Sequence, residues 1–369
     1  MKFLIKLKPM TPFFFGTDKT FSDETLHDVT SSYFPQQTHV LGMLRFFVLQ
    51  SHSLVSLRRR GRWVKNRDFK KAFALIGGFD KKSNIQKIES FGKIESISPV
   101  FILSTKDSKI NDFHFIAPKD TGLDIKHNET EEIVQIANKK RNTTFYIKNF
   151  NPKIGTVNAL TTSKFWKEYL DKKIPHIKDD VKIDKKYLHK LNLLSFDEVF
   201  SPVNQVGIRR DKESKSVKEN DEGSFYHKTS YRFVKNDYEF AFVVEVSDNI
   251  FKEKEGFVYL GAERSSFQIK IEDLSKEIEQ FFPKNILDEK LIALSDIEIE
   301  NFDGIDFMIN EEYIAHAFMK REAEKQQRAS SNHSKSKQRC YIPRGSVLFV
   351  NEKFQKDQLN KKFGYNYFI

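Results

Sequence analysis

The chain has 369 residues, enough for roughly two to three domains, and 62 lysines and arginines against 51 aspartates and glutamates give it a net charge of +11. Its single cysteine, Cys340, excludes an intrachain disulfide bond and a cysteine-based zinc cage, and fits a reducing, cytoplasmic location. No apolar run approaches the roughly 20 residues of a membrane-spanning helix, so we expect no membrane association.

The first predicted element is a strand at the N-terminus, where apolar residues alternate from Phe3 to Leu7. An apolar run over residues 12–16 ends at a turn, and a polar loop follows it. Apolar residues then recur at helical spacing between Thr38 and Leu49, which predicts a helix with Thr38 as its N-cap.

The middle of the chain opens on a basic segment, residues 56–71, with eight basic residues and one acidic residue, Asp68. Apolar runs punctuated by proline predict strands at 94–103 and 112–117. Helical spacing predicts a helix over residues 162–170.

The second half alternates apolar runs with charged tracts. Residues 196–210 read as strand or loop and lead into a charged tip or hairpin at 211–223. Strands are predicted at 240–246 and 257–260, and the spacing over 269–282 favours a helix.

The C-terminal third begins with an acidic stretch, residues 287–312. Its charge predicts a solvent-exposed face or a face that docks a basic neighbour. A short helix is expected at 315–321, a low-complexity segment at 322–338 and a strand at 347–350. Strands and a few helices interleave without a regular βαβ repeat, which predicts an α+β fold in two sheet-based halves that meet near residue 195.

Aromatic residues make up 14% of the chain, and 36 of them are phenylalanines. Most must lie in the core, because aromatic side chains bury large areas. A basic chain rich in aromatic residues is also typical of proteins that bind nucleic acid, since cations neutralise phosphates and exposed rings stack on bases.

The sequence contains no motif of a common catalytic or nucleotide-binding site. The phosphate-binding loop, the dinucleotide fingerprint, the H-E-x-x-H zinc motif and the G-x-S-x-G nucleophile motif are all missing. The pairs His27-Asp28 and Asp179-Asp180 are each too short to define a metal site. His39 is a residue type that can act as general acid or base in RNA cleavage, so a catalytic role stays open.

Five segments, in order along the chain, carry a family resemblance. Residues 32–45, SYFPQQTHVLGMLR, resemble the S-x-F-P-P-x-P-x-T-x-x-G-x-L-R segment of the RAMP proteins (repeat-associated mysterious proteins) of CRISPR effector complexes. Residues 12–16, 205–211 with 222–226, 260–264 and 342–349 are similar to that family's other segments, in the same order. The pattern is most similar to the third Cmr subunit of type III-B complexes.

The resemblance implies an α+β fold of two ferredoxin-like (RRM-like) domains, at residues 1–195 and 196–369. It implies a non-catalytic subunit with no cofactor and no metal, which binds the repeat-derived 5′ handle of the guide RNA (crRNA). Its protein partners would be the large cyclase-bearing Cas subunit and the RNA-cutting RAMP subunit of the backbone. The alternative is a metal-independent RNA endonuclease that processes guide-RNA precursors.

Candidate RNA-binding residues follow from the same segments and from the basic tract. A helix start offers N–H groups to a phosphate, glycines at strand ends permit close approach, and arginine and tyrosine supply charge and stacking. The candidates are Thr38, His39, Gly42, Arg45, Arg58, Arg59, Arg60, Gly207, Arg209, Arg210, Tyr226, Arg264, Arg344, Gly345 and Ser346.

Structural alternatives stay open for several of these residues. Arg45 is equally explained by an ion pair on the helix surface, Tyr226 by core packing and Arg264 by a local pair with Glu263. The arginines at 58–60 are also explained by a solvated or subunit-facing loop. The paired phenylalanines Phe46-Phe47 are expected in the core.

Overall fold

The computed structural model describes most of the chain, and all statements of structure below refer to that part. The described residues are 1–16, 28–55, 58–59, 62–63, 68–79, 88–106, 109–127, 133–136, 139–142, 145–148, 156–177, 183–208, 225–261, 263–276, 279, 290–298, 303–310, 314–316, 319–320, 334–335, 339–354 and 362–369.

The fold is rich in strands and has few helices, which confirms the predicted α+β class. The described helices are α1 (Gln37–Ser51), α2 (Phe69–Ile76), α3 (Ser163–Leu170), α4 (Lys185–Lys190) and α5 (Phe196–Val199). The described strands are β1 (Lys2–Pro9), β2 (Asp28–Thr30), β3 (Arg58–Arg59), β4 (Arg62–Trp63), β5 (Gly78–Phe79), β6 (Ile88–Ser90), β7 (Ile94–Ile97), β8 (Phe101–Lys106), β9 (Lys109–His114), β10 (Asp124–His127), β11 (Ile133–Ile136), β12 (Lys139–Asn142), β13 (Phe145–Lys148), β14 (Leu160–Thr161), β15 (Leu193–Leu194), β16 (Phe200–Ile208), β17 (Phe225–Phe233), β18 (Tyr238–Val246), β19 (Glu255–Leu260), β20 (Ser265–Asp273), β21 (Lys290–Ile292), β22 (Ile305–Ile309), β23 (Ile314–His316), β24 (Met319–Lys320), β25 (Ser334–Lys335), β26 (Arg339–Tyr341) and β27 (Val347–Val350). None of the described helices is long and apolar enough to cross a lipid bilayer.

A seven-stranded antiparallel sheet lies at the centre, in the order β19-β20-β1-β18-β8-β9, with β7 also paired to β18. Strand β18 buries Phe240 and Phe242 on one face, whereas the other face buries Ala241 between the half-buried Glu239 and Glu245. The N-terminal strand β1 lies between β18 and β20. The sheet therefore joins strands from both sides of residue 195, and the two-domain division stays a prediction.

Each face of the central sheet carries its own core. On one face, Phe3, Ile5 and Leu7 of β1 are buried together with residues of α1. On the other face, Leu4 packs in a cluster with Phe165 and Trp166 of α3. Many of the phenylalanines therefore form the interior, as their number predicts.

Phenylalanine rings also pack the segment after β1 against the sheet. The ring of Phe13 lies 4.9 Å from that of Phe15 and 5.1 Å from that of Phe240. Phe13 and Tyr231 form a backbone bridge, which ties this segment to the hairpin of β16 and β17. A third, smaller core supports the C-terminal sheet β21-β27-β22.

Local capping sets the ends of the short helices. The Thr162 hydroxyl accepts a hydrogen bond from the backbone N–H of Phe165 and begins α3. The Asp184 carboxylate accepts from the N–H of Tyr187 and begins α4. The helix predicted at 162–170 is thereby confirmed.

Three predictions about secondary structure were wrong where the structure describes the residues. Helix α1 begins at Gln37 with Gln36 as N-cap, because the Gln36 carbonyl accepts the first helical hydrogen bonds, from the N–H groups of His39 and Val40; Thr38 lies inside the first turn. Residues 269–273 belong to strand β20, in which alternate residues are buried. Residues 315–316 and 319–320 are strand rather than helix, because they pair with β26 and β25.

Candidate nucleic-acid interface

Helix α1 presents an open strip to solvent. His39, Gly42 and Phe46 are all exposed, at a spacing that places them along one side of the helix. A Cβ atom added at Gly42 would meet nothing within 4 Å, so a ligand has free access to the helix backbone there. Phe47 is buried as predicted, but Phe46 is 49% exposed, so its assignment to the core was wrong.

Arg45 lies beside this strip and is half-buried. Its guanidinium carbon lies 5.8 Å from the centre of the Phe91 ring. Two of its nitrogens, Nε and Nη2, are buried and have no hydrogen-bond partner among the described residues. Burial lowers the pKa of Arg45, and its two unpartnered nitrogens are enclosed in the protein, so Arg45 offers an anion such as phosphate the charge of a half-buried guanidinium beside the open strip.

The first turn of α1 packs against the C-terminal segment. The Thr38 hydroxyl lies 3.5 Å from the Tyr365 hydroxyl, and the ring of Tyr365 stacks on Tyr341 at 5.2 Å. The segments at 32–45 and 342–349 are also neighbours in space, because the guanidinium of Arg344 lies 4.7 Å from the centre of the Phe34 ring, although about 300 residues separate them. Thr38 is half-buried in this contact.

The side chain of Arg344 is buried in the protein interior and forms an ion pair there. It is 6% exposed, its Nε and Nη2 donate to Asp296 at 3.3 and 3.2 Å, and its guanidinium lies 4.7 Å from the centre of the Phe34 ring. A guanidinium held in this way has a carboxylate partner already. The geometry gives no support for a contact between Arg344 and RNA.

The next two predicted residues are also used internally. Gly345 adopts a positive φ of 87°, its N–H donates to the carbonyl of Ala293, and its own carbonyl accepts from Lys119. Ser346 is fully buried and its hydroxyl donates to the carbonyl of Pro343 at 2.6 Å. These groups shape the turn before β27 and do not face solvent.

A second group of predicted residues gathers around the segment 13–16. A Cβ at Gly261 would lie 2.2 Å from the Phe14 carbonyl oxygen, so only glycine permits this approach. Lys228 lies 5.0 Å from the centre of the Phe14 ring and forms an ion pair with Glu263. The segments at 12–16, 225–228 and 260–264 therefore meet.

Arg264 follows directly in the turn between β19 and β20. It has a positive φ of 58°, and its guanidinium lies 5.5 Å from the centre of the Tyr259 ring. Glu263 pairs with Lys228. The structure shows no ion pair of Arg264 with Glu263, the alternative that the sequence left open.

Other candidates are only partly described. Gly207 and Tyr226 lie opposite each other in the ladder of β16 and β17. The backbone of Arg58 and Arg59 forms β3, which pairs with β4. Arg60, Arg209 and Arg210 lie outside the described residues, as do His27 and Asp179-Asp180.

Among the described residues, the most exposed aromatic pair was not predicted from the sequence. Phe257 and Tyr259 of β19 are 68% and 59% exposed, on the sheet's outermost strand. The signal available was their spacing of two residues within the predicted strand 257–260. No group of three or more metal-ligating side chains occurs among the residues that the structure describes.

Solved structures share this fold. One chain, from a cryo-EM structure of the type III-B Cmr-beta complex bound to cognate target RNA, superposes with a TM-score of 0.52 at 16% identity, covering 100% of this chain and 96% of that one. A second, from that complex bound to cognate target RNA and AMPPnP in state 1, gives 0.52 at 17% identity with the same coverage. At this identity the likeness concerns the fold alone.

Comparison of sequences identifies the family. No curated protein matches the chain in sequence. The model of the CRISPR-associated protein family Cas_Cmr3 matches residues 5–294, which is most of the chain. The chain therefore belongs to the Cas_Cmr3 family of CRISPR-associated proteins, and the resemblance to the third Cmr subunit is confirmed.

Proposed function

We propose that this chain is a non-catalytic subunit of a type III-B CRISPR interference complex and that it binds the 5′ repeat-derived handle of the guide RNA. The family match over residues 5–294 carries the proposal. The net charge of +11 agrees with a polyanionic ligand.

Two surfaces support binding of a single strand of RNA. The exposed strip of α1 offers His39 and open backbone at Gly42, with the half-buried Arg45 beside it. Around segment 13–16, Lys228 and Arg264 each lie over an aromatic ring. Phosphate neutralisation combined with ring stacking is how proteins hold unpaired RNA.

The proposal includes two protein partners. The chain would bridge the large cyclase-bearing subunit to the RNA-cutting RAMP subunit of the backbone, in the cytoplasm. The related chains come from a Cmr-beta complex bound to target RNA, which supports an assembled, RNA-containing state.

We also propose that the central sheet derives from a ferredoxin-like unit. The order β20-β1-β18-β8, with α1 between β1 and β7 and all neighbours antiparallel, fits the β-α-β-β-α-β arrangement. Between β18 and β20, where such a unit has its second helix, the chain forms β19. A second ferredoxin-like unit in the C-terminal half remains part of the proposal.

Salt dependence of RNA binding tests the function. Affinity for a handle RNA should fall on a log–log plot with a slope of about −0.7 for each neutralised phosphate. If Arg58, Arg59 and Arg60 contact RNA, replacing all three with glutamine makes this slope less steep by about 2. Lys93→Gln is the matched control, because Lys93 is paired with Asp248 at 2.6 Å. A handle RNA that binds no better than a scrambled sequence contradicts the proposal.

The endonuclease alternative has its own test. His39 is exposed on α1 and so is accessible to RNA, which is the one observation in favour of cleavage. The purified chain should leave repeat RNA intact without metal ions. Cleavage by the wild-type chain that disappears in His39→Ala would establish the enzyme and end the binding-only proposal.

A further inference from the structure

An exposed mixed surface lies at the edge of the central sheet. Phe257 and Tyr259 stand on the same side of β19, because they are two residues apart in a strand. Their partners on β20 are Gln268 and Ser266, and Gln268 is in turn opposite Lys8 of β1. We call these five residues the β19 face.

The β19 face continues into a cavity. The N–H of Met10 donates to the carbonyl of Ser266, so Met10 adjoins the β19 face at the end of β1. Met10 and Lys8 line a cavity of about 600 Å³, together with Arg232, Val234 and Lys235. Met10 and Val234 are 54% and 49% exposed, so the apolar character of the surface extends into the cavity.

The charges on this surface are positive and largely unpaired. Lys8, Arg232 and Lys235 are exposed and have no ion-pair partner among the described residues. Asp197, which also lines the cavity, is held by Lys185 at 2.6 Å. An anionic ligand would therefore meet cations that form no direct ion pair with a described carboxylate, although the charge of Lys8 also acts on Glu239.

The rings have a spacing suited to bases. Residues two apart in a strand are separated by about 6.8 Å, which is about twice the rise of 3.4 Å between stacked bases. The guanidinium of Arg264 lies over one face of the Tyr259 ring and leaves the other face for stacking. The amide of Gln268 and the hydroxyl of Ser266 lie beside the rings, where they can bond to base edges.

We propose that the β19 face and the adjoining cavity form a further RNA-binding surface, which takes unpaired nucleotides by stacking on Phe257 and Tyr259 and neutralises their phosphates with Lys8, Arg232 and Lys235. This inference rests on the proposed function, since it requires a chain that binds RNA. It assigns that binding to residues outside the family segments, except for Arg264.

Binding of a labelled oligouridine without any handle sequence tests the proposal on the full chain. The double substitution Phe257→Ala, Tyr259→Ala should weaken binding by about tenfold or more, because each ring that stacks on a base contributes substantially to affinity. Phe257→Tyr with Tyr259→Phe keeps both rings and should bind as the wild type does. Both positions are exposed, so the fold tolerates either pair.

The charge contribution is measured separately. The double substitution Arg232→Gln, Lys235→Gln should make the plot of log affinity for oligouridine against log salt concentration less steep, by about 1.4. Lys93→Gln, which removes a cation already paired with Asp248, should leave the slope unchanged. A slope that stays the same in the first variant removes the cavity from the proposed surface.

The outcomes distinguish this inference from the proposed function. If the alanine pair binds oligouridine normally while the wild type still prefers a handle RNA, the β19 face is excluded and handle binding stands. If the alanine pair loses oligouridine binding while the wild type shows no preference for a handle, the face stands and handle binding fails. If the alanine pair binds RNA normally but no longer joins the other subunits, the face docks a protein and the inference is overturned.

Discussion

The buried pair of Arg344 and Asp296 should make a large contribution to stability that depends on both partners being present. The side chains are 7% and 8% exposed, and the distance from Nη2 of Arg344 to Oδ2 of Asp296 is 3.2 Å. At an effective dielectric constant of about 20, the Coulomb attraction at that distance is about 5 kcal/mol. Desolvation offsets much of it, but removal of one partner leaves the other charge buried and alone.

Asp296→Asn keeps the side-chain volume and removes the charge, so we expect a loss of about 3–5 kcal/mol in the free energy of unfolding. Adding Arg344→Met to it should restore part of that loss, because the double variant no longer buries a lone guanidinium. The measurement is urea unfolding followed by tryptophan fluorescence, since Trp166 is buried in the core.

Asp248→Asn is the matched control, because Asp248 is 65% exposed and also bonded to a single cation, Lys93. Its urea midpoint should stay close to that of the wild type. If Asp296→Asn is as stable as the control, the expected contribution of the buried ion pair is contradicted. It is also contradicted if Arg344→Met unfolds like the wild type yet loses affinity for RNA, since Arg344 would then be the RNA contact that its sequence context suggested.

Three other changes have expected outcomes that urea midpoints can check. Gly261→Ala should destabilise the chain by more than about 1 kcal/mol, because its φ is 92° and its Cβ would lie 2.2 Å from the Phe14 carbonyl oxygen; an unchanged midpoint would contradict this. Gly42→Ala should stabilise α1 by about 1 kcal/mol and, if RNA approaches the helix there, weaken RNA binding at the same time. Burial raises the pKa of Tyr365 to about 12 from its ordinary 10.0, so the folded state keeps the hydroxyl neutral while the unfolded chain ionises near pH 10. Relative to Tyr365→Phe, the wild type should therefore lose roughly 1.4 kcal/mol per pH unit between about pH 10 and 12, and parallel curves for the two proteins would contradict the burial.

Local patterns were enough to predict several elements of this fold. Alternation predicted β1, an apolar run predicted β18 and helical spacing predicted α3. The same patterns do not say which strands pair. Strand β1 has its partners more than 230 residues away, and only the assembled hydrophobic surfaces select that arrangement.

The candidate site was harder to predict, because residue type does not reveal burial. Arg45 and Arg344 are both arginines within segments that carry the family resemblance. Of the two, only Arg344 has a carboxylate partner in the described interior. Phe257 has the alternating neighbours of any strand, but its side chain is exposed because no described segment packs over that side of β19, whereas Val258 on the other side is buried. What covers a face depends on packing between distant segments, which the local sequence does not contain.

The position of β1 sets an order of events during synthesis. Its neighbours are β18 and β20, so the N-terminal strand has no hydrogen-bonding partner in the sheet until β18, which ends at Val246, has left the ribosome. At about 5–20 residues per second, that interval is roughly 12–50 s. During this interval the apolar strand β1 has no partner in the sheet and is prone to aggregation. The fraction of chains that fold therefore depends on how well this strand is protected while synthesis continues.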